Sequence, residues 1–343
     1  MQVDFNLFES GVANFEYVKY CKKNILQYSL GGLMYSPAIN ATIADMVISQ
    51  KYEGIRSIAL CLEDAVSDNA VEEAEEQLFV TLKKIYDAVK SGEINNVNIP
   101  LIFVRVRNSA QVQRIYDRAG DYGLLTGFIF PKFSMANAIE YINEICFVNR
   151  KSQKPVYFMP ILETADILSV STRIESLTVI KKMLDSVKEL VLNVRIGGND
   201  FCNVYGFRRN CSQTIYDISV IRDVISDIVN IFGADYVVSA PVWEYFDNKN
   251  NDDWKKGLEK ELQLDRLNGL IGKTAVHPSQ VPIINNSLCV DKNDYFDAVK
   301  ILGWKDDVFG VSKSTGGDRM NEQKVHQKWA EKIIALSCIY GVK

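Results

Sequence analysis

Eight short apolar runs alternate with helix-patterned segments along this 343-residue chain, and that alternation limits its fold more than any other feature. The runs lie at residues 31–37, 55–62, 99–106, 127–130, 155–162, 190–196, 234–240 and 270–276. Each is apolar at successive positions and too short for an ordinary helix, which is how strands buried on both faces read. The spacing predicts helices between them, at 42–51 (with Thr42 as N-cap), 69–90, 110–117, 134–148, 169–188 and 217–232. The second of these is Glu-rich early and Lys-rich late, as the helix dipole favours. Residues 243–268 read as polar, with a surface loop at 247–253. The chain from about 290 reads as helical with one break at Gly316-Gly317.

Strands alternating with helices imply a parallel sheet with crossover helices, and eight such units predict a closed (β/α)8 TIM barrel of the α/β class. The expected organisation is a lead-in segment at 1–29, a catalytic barrel at 30–289 and a helical lid or tail at 290–343. Neither glycine pair near a strand, Gly31-Gly32 or Gly197-Gly198, has the dinucleotide-binding GxGxxG spacing, and there is no P-loop.

Composition excludes several classes. A net charge of -4 argues against nucleic-acid or membrane-surface binding. The two histidines exclude a three-histidine zinc site. Seven cysteines, an odd number with no CxxC pair, read as reduced thiols. The N-terminus has no signal-peptide pattern, and no run reaches the roughly 18 apolar residues that would span a bilayer, so a cytoplasmic protein is expected.

The charges are placed unevenly. Glu63, Asp64, Arg105, Arg107, Lys132, Glu163, Asp200 and His277 all sit at the carboxyl ends of predicted strands, the face on which barrels of this kind build active sites. Glu163 and Asp200 end adjacent strands, five and six. Two hard oxygen donors there suit Mg²⁺, or Mn²⁺, completed by waters and substrate oxygens. The plainer alternative is that each carboxylate caps the helix that follows. Arg105 and Arg107 share a parity on strand three and offer forked donors to a carboxylate or an enolate oxygen. Otherwise they only neutralise nearby acids. Lys132 binds an anion or reaches solvent. Glu63-Asp64 hold water on the metal, pair with Arg105 or cap the long helix. Arg208 and Arg209, just past the sixth strand, contact an anionic part of the substrate or form a solvated turn. His277 fits a substrate contact or a structural hydrogen bond.

Seven stretches, LMYSPA, LCLEDAV, FVRVRN, GFIFPK, PILETADI, RIGGNDF and AVHPSQV, stand in the order and spacing of the citrate lyase β-subunit-like, or HpcH/HpaI aldolase, superfamily. The chain resembles most a divergent branch of its carbon–carbon bond lyases of TIM-barrel fold. That resemblance implies enolate chemistry with Mg²⁺ on Glu163 and Asp200. It implies that Arg105 stabilises the enolate oxygen and that Glu63 and Asp64 order water at the metal. It further implies a homo-oligomer, trimer or dimer, whose C-terminal segment reaches a neighbouring site, with Glu322 or Asp318 as its acid. The chain departs from the family in three places. Gly31-Gly32 stands where an arginine is usual, Arg107 is extra in Arg105-Val106-Arg107-Asn108, and the tail differs. These departures point away from a coenzyme A thioester and towards another small anionic substrate, a phosphorylated one among the options.

The expected function is a Mg²⁺-dependent carbon–carbon lyase or aldolase acting on an oxo acid, a hydroxy acid or a related acyl compound. Two alternatives remain open: an acyl-thioester hydrolase on the same fold, and a barrel that binds a ligand without catalysis.

Overall fold

A computed structural model describes residues 21–248, 251–304 and 309–343. By internal contact the chain divides into two units, one of residues 30–284 and one made of the segments before 30 and from 285 onward.

The first unit is an eight-stranded parallel barrel. Its strands are β1 (Gly32–Pro37), β2 (Ser57–Cys61), β3 (Leu101–Arg105), β4 (Leu125–Phe130), β5 (Tyr157–Leu162), β6 (Val194–Ile196), β7 (Val238–Ser239) and β8 (Lys273–Ala275). Each pairs in parallel with its chain neighbour, and β8 pairs with β1. The ring closes where the Ala240 N–H donates to the Gly272 carbonyl at 3.0 Å and the Ile271 N–H to the Val238 carbonyl at 2.8 Å. The principal helices are α1 (Ile43–Ile48), α2 (Val71–Ser91), α3 (Ala110–Ala119), α4 (Ala138–Lys151), α5 (Arg173–Asp185), α6 (Gly198–Val204), α7 (Ser219–Phe232), α8 (Asp253–Leu267) and α9 (Gln280–Ser287).

The apolar runs carry two cores, because successive residues of a strand face opposite ways. Ile58, Leu60, Ile102, Val104, Phe128, Phe158 and Leu162 point outward and join the cluster formed with Leu78 and Leu82 of α2, Ile115 of α3 and Leu177 of α5. Ala59, Phe103, Ile129, Met159 and Ile161 are also buried but lie outside that cluster, as residues of the other parity filling the ring must. Gly127 on β4 allows a close approach, since a Cβ there would lie 2.0 Å from the Tyr157 carbonyl oxygen.

Three expectations need correction. The stretch read as polar, 243–268, contains α8, whose Trp254, Leu258 and Leu262 form an apolar stripe at four-residue spacing. The stripe was hidden because α8 also buries two acids, Glu261 and Asp265. Thr42 makes no side-chain cap; its own N–H and hydroxyl are held instead by the Asn40 side chain. The break at Gly316-Gly317 is the turn of an antiparallel hairpin, β9 (Val311–Lys313) with β10 (Met320–Glu322). Residues 1–20, most of the expected lead-in, lie outside the described residues, as do 249–250 in the surface loop at 247–253.

In the second unit, α10 (Lys292–Leu302) and α11 (Gln327–Tyr340) flank that hairpin. Arg319 binds Asp294 and Asp297 of α10 at 2.6 and 2.8 Å, and the Tyr340 hydroxyl donates to the Tyr28 carbonyl at 2.9 Å.

On the outside of the barrel Lys273 of β8 is fully buried. It donates to the Pro241 carbonyl at 2.6 Å and pairs with Glu261 and Asp265 of α8, both at 2.9 Å. Removing one partner of a buried ion group strands the rest. Lys273→Met is therefore expected to lower the free energy of unfolding in urea by about 3–5 kcal/mol. A loss below about 1 kcal/mol would show that the two acids are not held by this lysine.

Candidate active site

The carboxyl ends of β2, β3, β4 and β5 converge on one guanidinium. Arg105 ends β3, and its Nη2 lies 2.8 Å from Glu63 Oε2, 3.0 Å from Asp64 Oδ2 and 3.5 Å from Glu163 Oε1. Arg105, Glu63 and Glu163 are 8, 7 and 5% exposed, so the cluster is desolvated and its charges interact strongly. Burial alone would lower the Arg105 pKa, but Tyr35, Glu163, Cys61 and Glu63 outweigh it and raise it. The guanidinium is a permanent charge here. Its Nε is buried with no hydrogen-bond partner among the described residues.

Lys132, just past β4, binds the same acids from the outer side. Its ammonium pairs with Glu63 and, at 3.1 Å, with Asp64. Its backbone is left-handed, φ +48°, which costs a non-glycine residue on the order of 1–3 kcal/mol. That conformation directs the Lys132 N–H to Glu163 Oε1 at 2.8 Å, and Asn137 Nδ2 holds the Lys132 carbonyl at 3.0 Å. Burial acts against the charged forms of both Asp64 and Lys132. Glu63, Arg105 and Lys132 nevertheless hold the Asp64 pKa down at about 2, and Glu63 and Asp64 raise that of Lys132.

Glu163 is different. Burial pushes its carboxyl up to about 8; Arg105 pulls it down, and the Asp200 charge pushes it up again. Its Oε2 packs on Gly197, where a Cβ would lie 2.0 Å away. Asp200 lies in the first turn of α6, which has no side-chain cap, and its carboxylate makes no hydrogen bond or ion pair with the described residues. Neither carboxylate therefore spends itself as a helix cap.

Two carboxylates that repel each other, each with an oxygen lacking a protein donor, form a site that a divalent cation would relieve. Among the described residues no three His, Cys, Asp or Glu side chains gather as a metal cluster. A two-carboxylate set suits Mg²⁺, which keeps several waters and takes oxygens from its substrate. The residues present fit such an ion.

The other basic residues turn elsewhere. Arg107 donates to the carbonyls of Leu62, Glu63 and Val66 at 3.2, 3.3 and 2.8 Å and pairs with Asp68. It braces the β2–α2 loop that carries Glu63 and Asp64. Arg209 is buried against Trp243, with its guanidinium 5.1 Å from the ring centroid, and pairs with Glu261 at 3.4 Å. Arg208 is 78% exposed at its side chain and lies 3.6 Å from Glu244. His277 stacks on Phe246 at 4.8 Å and meets the Ser279 hydroxyl through Nδ1 at 2.8 Å. Glu322, ending β10 in the second unit, donates its N–H to His326 Nδ1 at 2.9 Å.

Two residues of the barrel interior had no assigned place in the sequence reading. Arg195 sits in the middle of β6 and acts electrostatically on Tyr35, as do Arg105, Cys61 and Glu163. The signal for Arg195 was present: it is a charge inside an apolar run, at the parity of the inward residues.

A family described as carbon–carbon bond lyases of the TIM-barrel fold matches residues 24–342. Among solved structures, a citrate lyase from Burkholderia xenovorans LB400 superposes with a TM-score of 0.65 at 15% identity, covering 91% of this chain and 93% of that one. The protein CitE from Mycobacterium tuberculosis, solved in complex with magnesium, acetoacetate and coenzyme A, gives 0.58 at 17% identity over 91% of this chain and 99% of that one. A malate synthase from Haloferax volcanii gives 0.55 at 12% identity over 75 and 73%. These likenesses establish the shared fold. No curated protein matches the chain.

Gly197→Ala would drive a methyl group into the Glu163 carboxylate, whereas a Cβ at Gly310 meets open space. Gly197→Ala is expected to weaken Mg²⁺ binding in calorimetry by about 10–100-fold, with Gly310→Ala unchanged. Equal affinities in the two variants would dissociate Glu163 from the cation.

Proposed function

Because the chain belongs to the family of carbon–carbon bond lyases of the TIM-barrel fold, we propose that it makes or breaks a carbon–carbon bond beside a carbonyl, through an enolate, on a small oxo acid or hydroxy acid. The observation that carries this reading is Arg105, a buried permanent cation 3.5 Å from Glu163, the carboxylate that the Asp200 charge also acts on. Glu163 and Asp200 would hold Mg²⁺, which supplies Lewis-acid polarisation of the substrate carbonyl and a template for its oxygens. Structural relatives that carry magnesium support the assignment.

The chain's own residues do the rest. Arg105 presents fixed positive charge where oxyanion charge develops, and it needs no reorganisation because Glu63, Asp64 and Glu163 already lock its fork. Lys132 holds Glu63 and Asp64, just past β2, in place through its ammonium, and its N–H fixes the orientation of Glu163. Arg107 serves the loop beneath them; its donors are taken by three carbonyls and Asp68, so the proposal gives it a positioning role. Arg209 likewise belongs to the packing of α8. Of the basic residues following β6, Arg208 is the one left to face an anion in solvent.

Two measurements test this reading. Calorimetric titration of Mg²⁺ is expected to show binding to the unaltered protein and at least about tenfold weaker binding to Glu163→Gln and Asp200→Asn. Loss of the methyl proton signal of pyruvate in D₂O reports enolisation directly. Arg105→Met is expected to slow that exchange by about 10²–10³-fold, in the range of a lost oxyanion donor. Exchange that proceeds equally with Arg105 and with Met would remove Arg105 from enolate stabilisation.

A further inference from the structure

Inside the barrel a second guanidinium has no counter-charge. Arg195 on β6 is 3% exposed. Its Nη2 donates to Thr274 Oγ1 of β8 at 2.8 Å, and Tyr35 of β1 acts on it electrostatically. Its Nη1 is buried with no hydrogen-bond partner among the described residues. It forms no ion pair among the described residues, and the other charge acting on it is Arg105, of the same sign. Arg105 by contrast has three carboxylates.

A guanidinium stays ionised at any ordinary pH, so it cannot escape the cost of burial by losing its proton. Buried charges are stable when paired, and an unpaired donor fork matches a planar carboxylate with two parallel hydrogen bonds. The location is consistent with a ligand group. Arg195 pairs in register with Ile161, two residues before Glu163 on β5, and lies two residues before Gly197, on which Glu163 packs. Tyr35 connects it to the site, since that ring is in the field of both arginines and of Glu163.

We propose that Arg195, with the Tyr35 hydroxyl beside it, is an anion subsite on the floor of the barrel mouth that binds a carboxylate of the substrate. The proposal rests on the lyase reading for the substrate's carbonyl, and it assigns the residue that takes that acid's free carboxylate. Both arginines act on Tyr35, and an anion bound there turns their mutual repulsion into attraction for the ligand.

The test compares binding of pyruvate and of its uncharged methyl ester, with and without Mg²⁺, to the unaltered protein, Arg195→Met and Tyr35→Phe. Expected is at least a tenfold loss of pyruvate affinity in Arg195→Met, a smaller loss in Tyr35→Phe, and no difference among the three for the ester. Without ligand, Arg195→Met is expected to melt no lower than the unaltered protein, because it removes a buried unpaired charge. A purely structural arginine would give the reverse, a lower melting temperature with unchanged pyruvate affinity. That result overturns the proposal, as does an unaltered protein that binds no pyruvate. If Arg195→Met fails to fold, the proposal is overturned by unchanged pyruvate affinity in Tyr35→Phe. Arg195-dependent binding without any proton exchange at the pyruvate methyl group would sink the enolate mechanism and leave the subsite standing.

Discussion

The contact between Arg105 and the carboxylates of Glu63, Asp64 and Glu163 is the constraint on which the barrel mouth depends. It joins the ends of β2, β3 and β5, segments far apart in the chain, and does so where little water reaches. Arg105, Glu63 and Glu163 are mutually necessary because each is buried, while Asp64 meets them from the exposed side. Lys132 extends the network to β4 by two different means, its ammonium on Glu63 and Asp64 and its main-chain N–H on Glu163. The strained backbone at Lys132 is offset by that pair of contacts. The network leaves Glu163 with one oxygen committed to protein donors and one facing Gly197 and Asp200, so the same interactions that stabilise the mouth also define what it can hold.

A second group of charges does the equivalent on the outer surface of the barrel. Lys273, Glu261, Asp265 and Arg209 are buried between β8 and α8, with the Tyr216 hydroxyl on Asp265 at 2.7 Å and the Ile215 N–H on Glu261 at 2.7 Å. Here every acid has its base, although Arg209 Nε is buried without a hydrogen-bond partner among the described residues. The contrast with the mouth is informative. A base for every acid marks a structural cluster; Arg195 without an acid and Asp200 without a base, among the described residues, mark a site.

Much of this was legible beforehand. The eight runs placed the strands, and the abrupt stop of each run at a charged residue placed Glu63, Arg105, Lys132, Glu163 and Asp200 at one end of the barrel. Local periodicity suffices for that, because parity and strand direction follow from the chain itself. Parity failed at Arg107. It predicted a side chain facing the mouth, but β3 ends at Arg105, and beyond a strand's last residue alternation carries no information. α8 was missed because its buried acids counted as surface residues until Lys273 was seen beneath them.

The sequence by itself determined the barrel, its order of strands and the face on which its charges gather, since all of these follow from the spacing of apolar residues and from where each run stops. Only the tertiary structure decided which charges are spent and which are free. Arg105 meets Glu63 from 42 residues away and Arg195 meets Thr274 from 79 residues away, and no local pattern encodes such a partner. Pairing depends on register across the ring and on the reach of each side chain within a desolvated space, so the difference between a salt bridge and an empty binding site becomes visible only once the ring has closed.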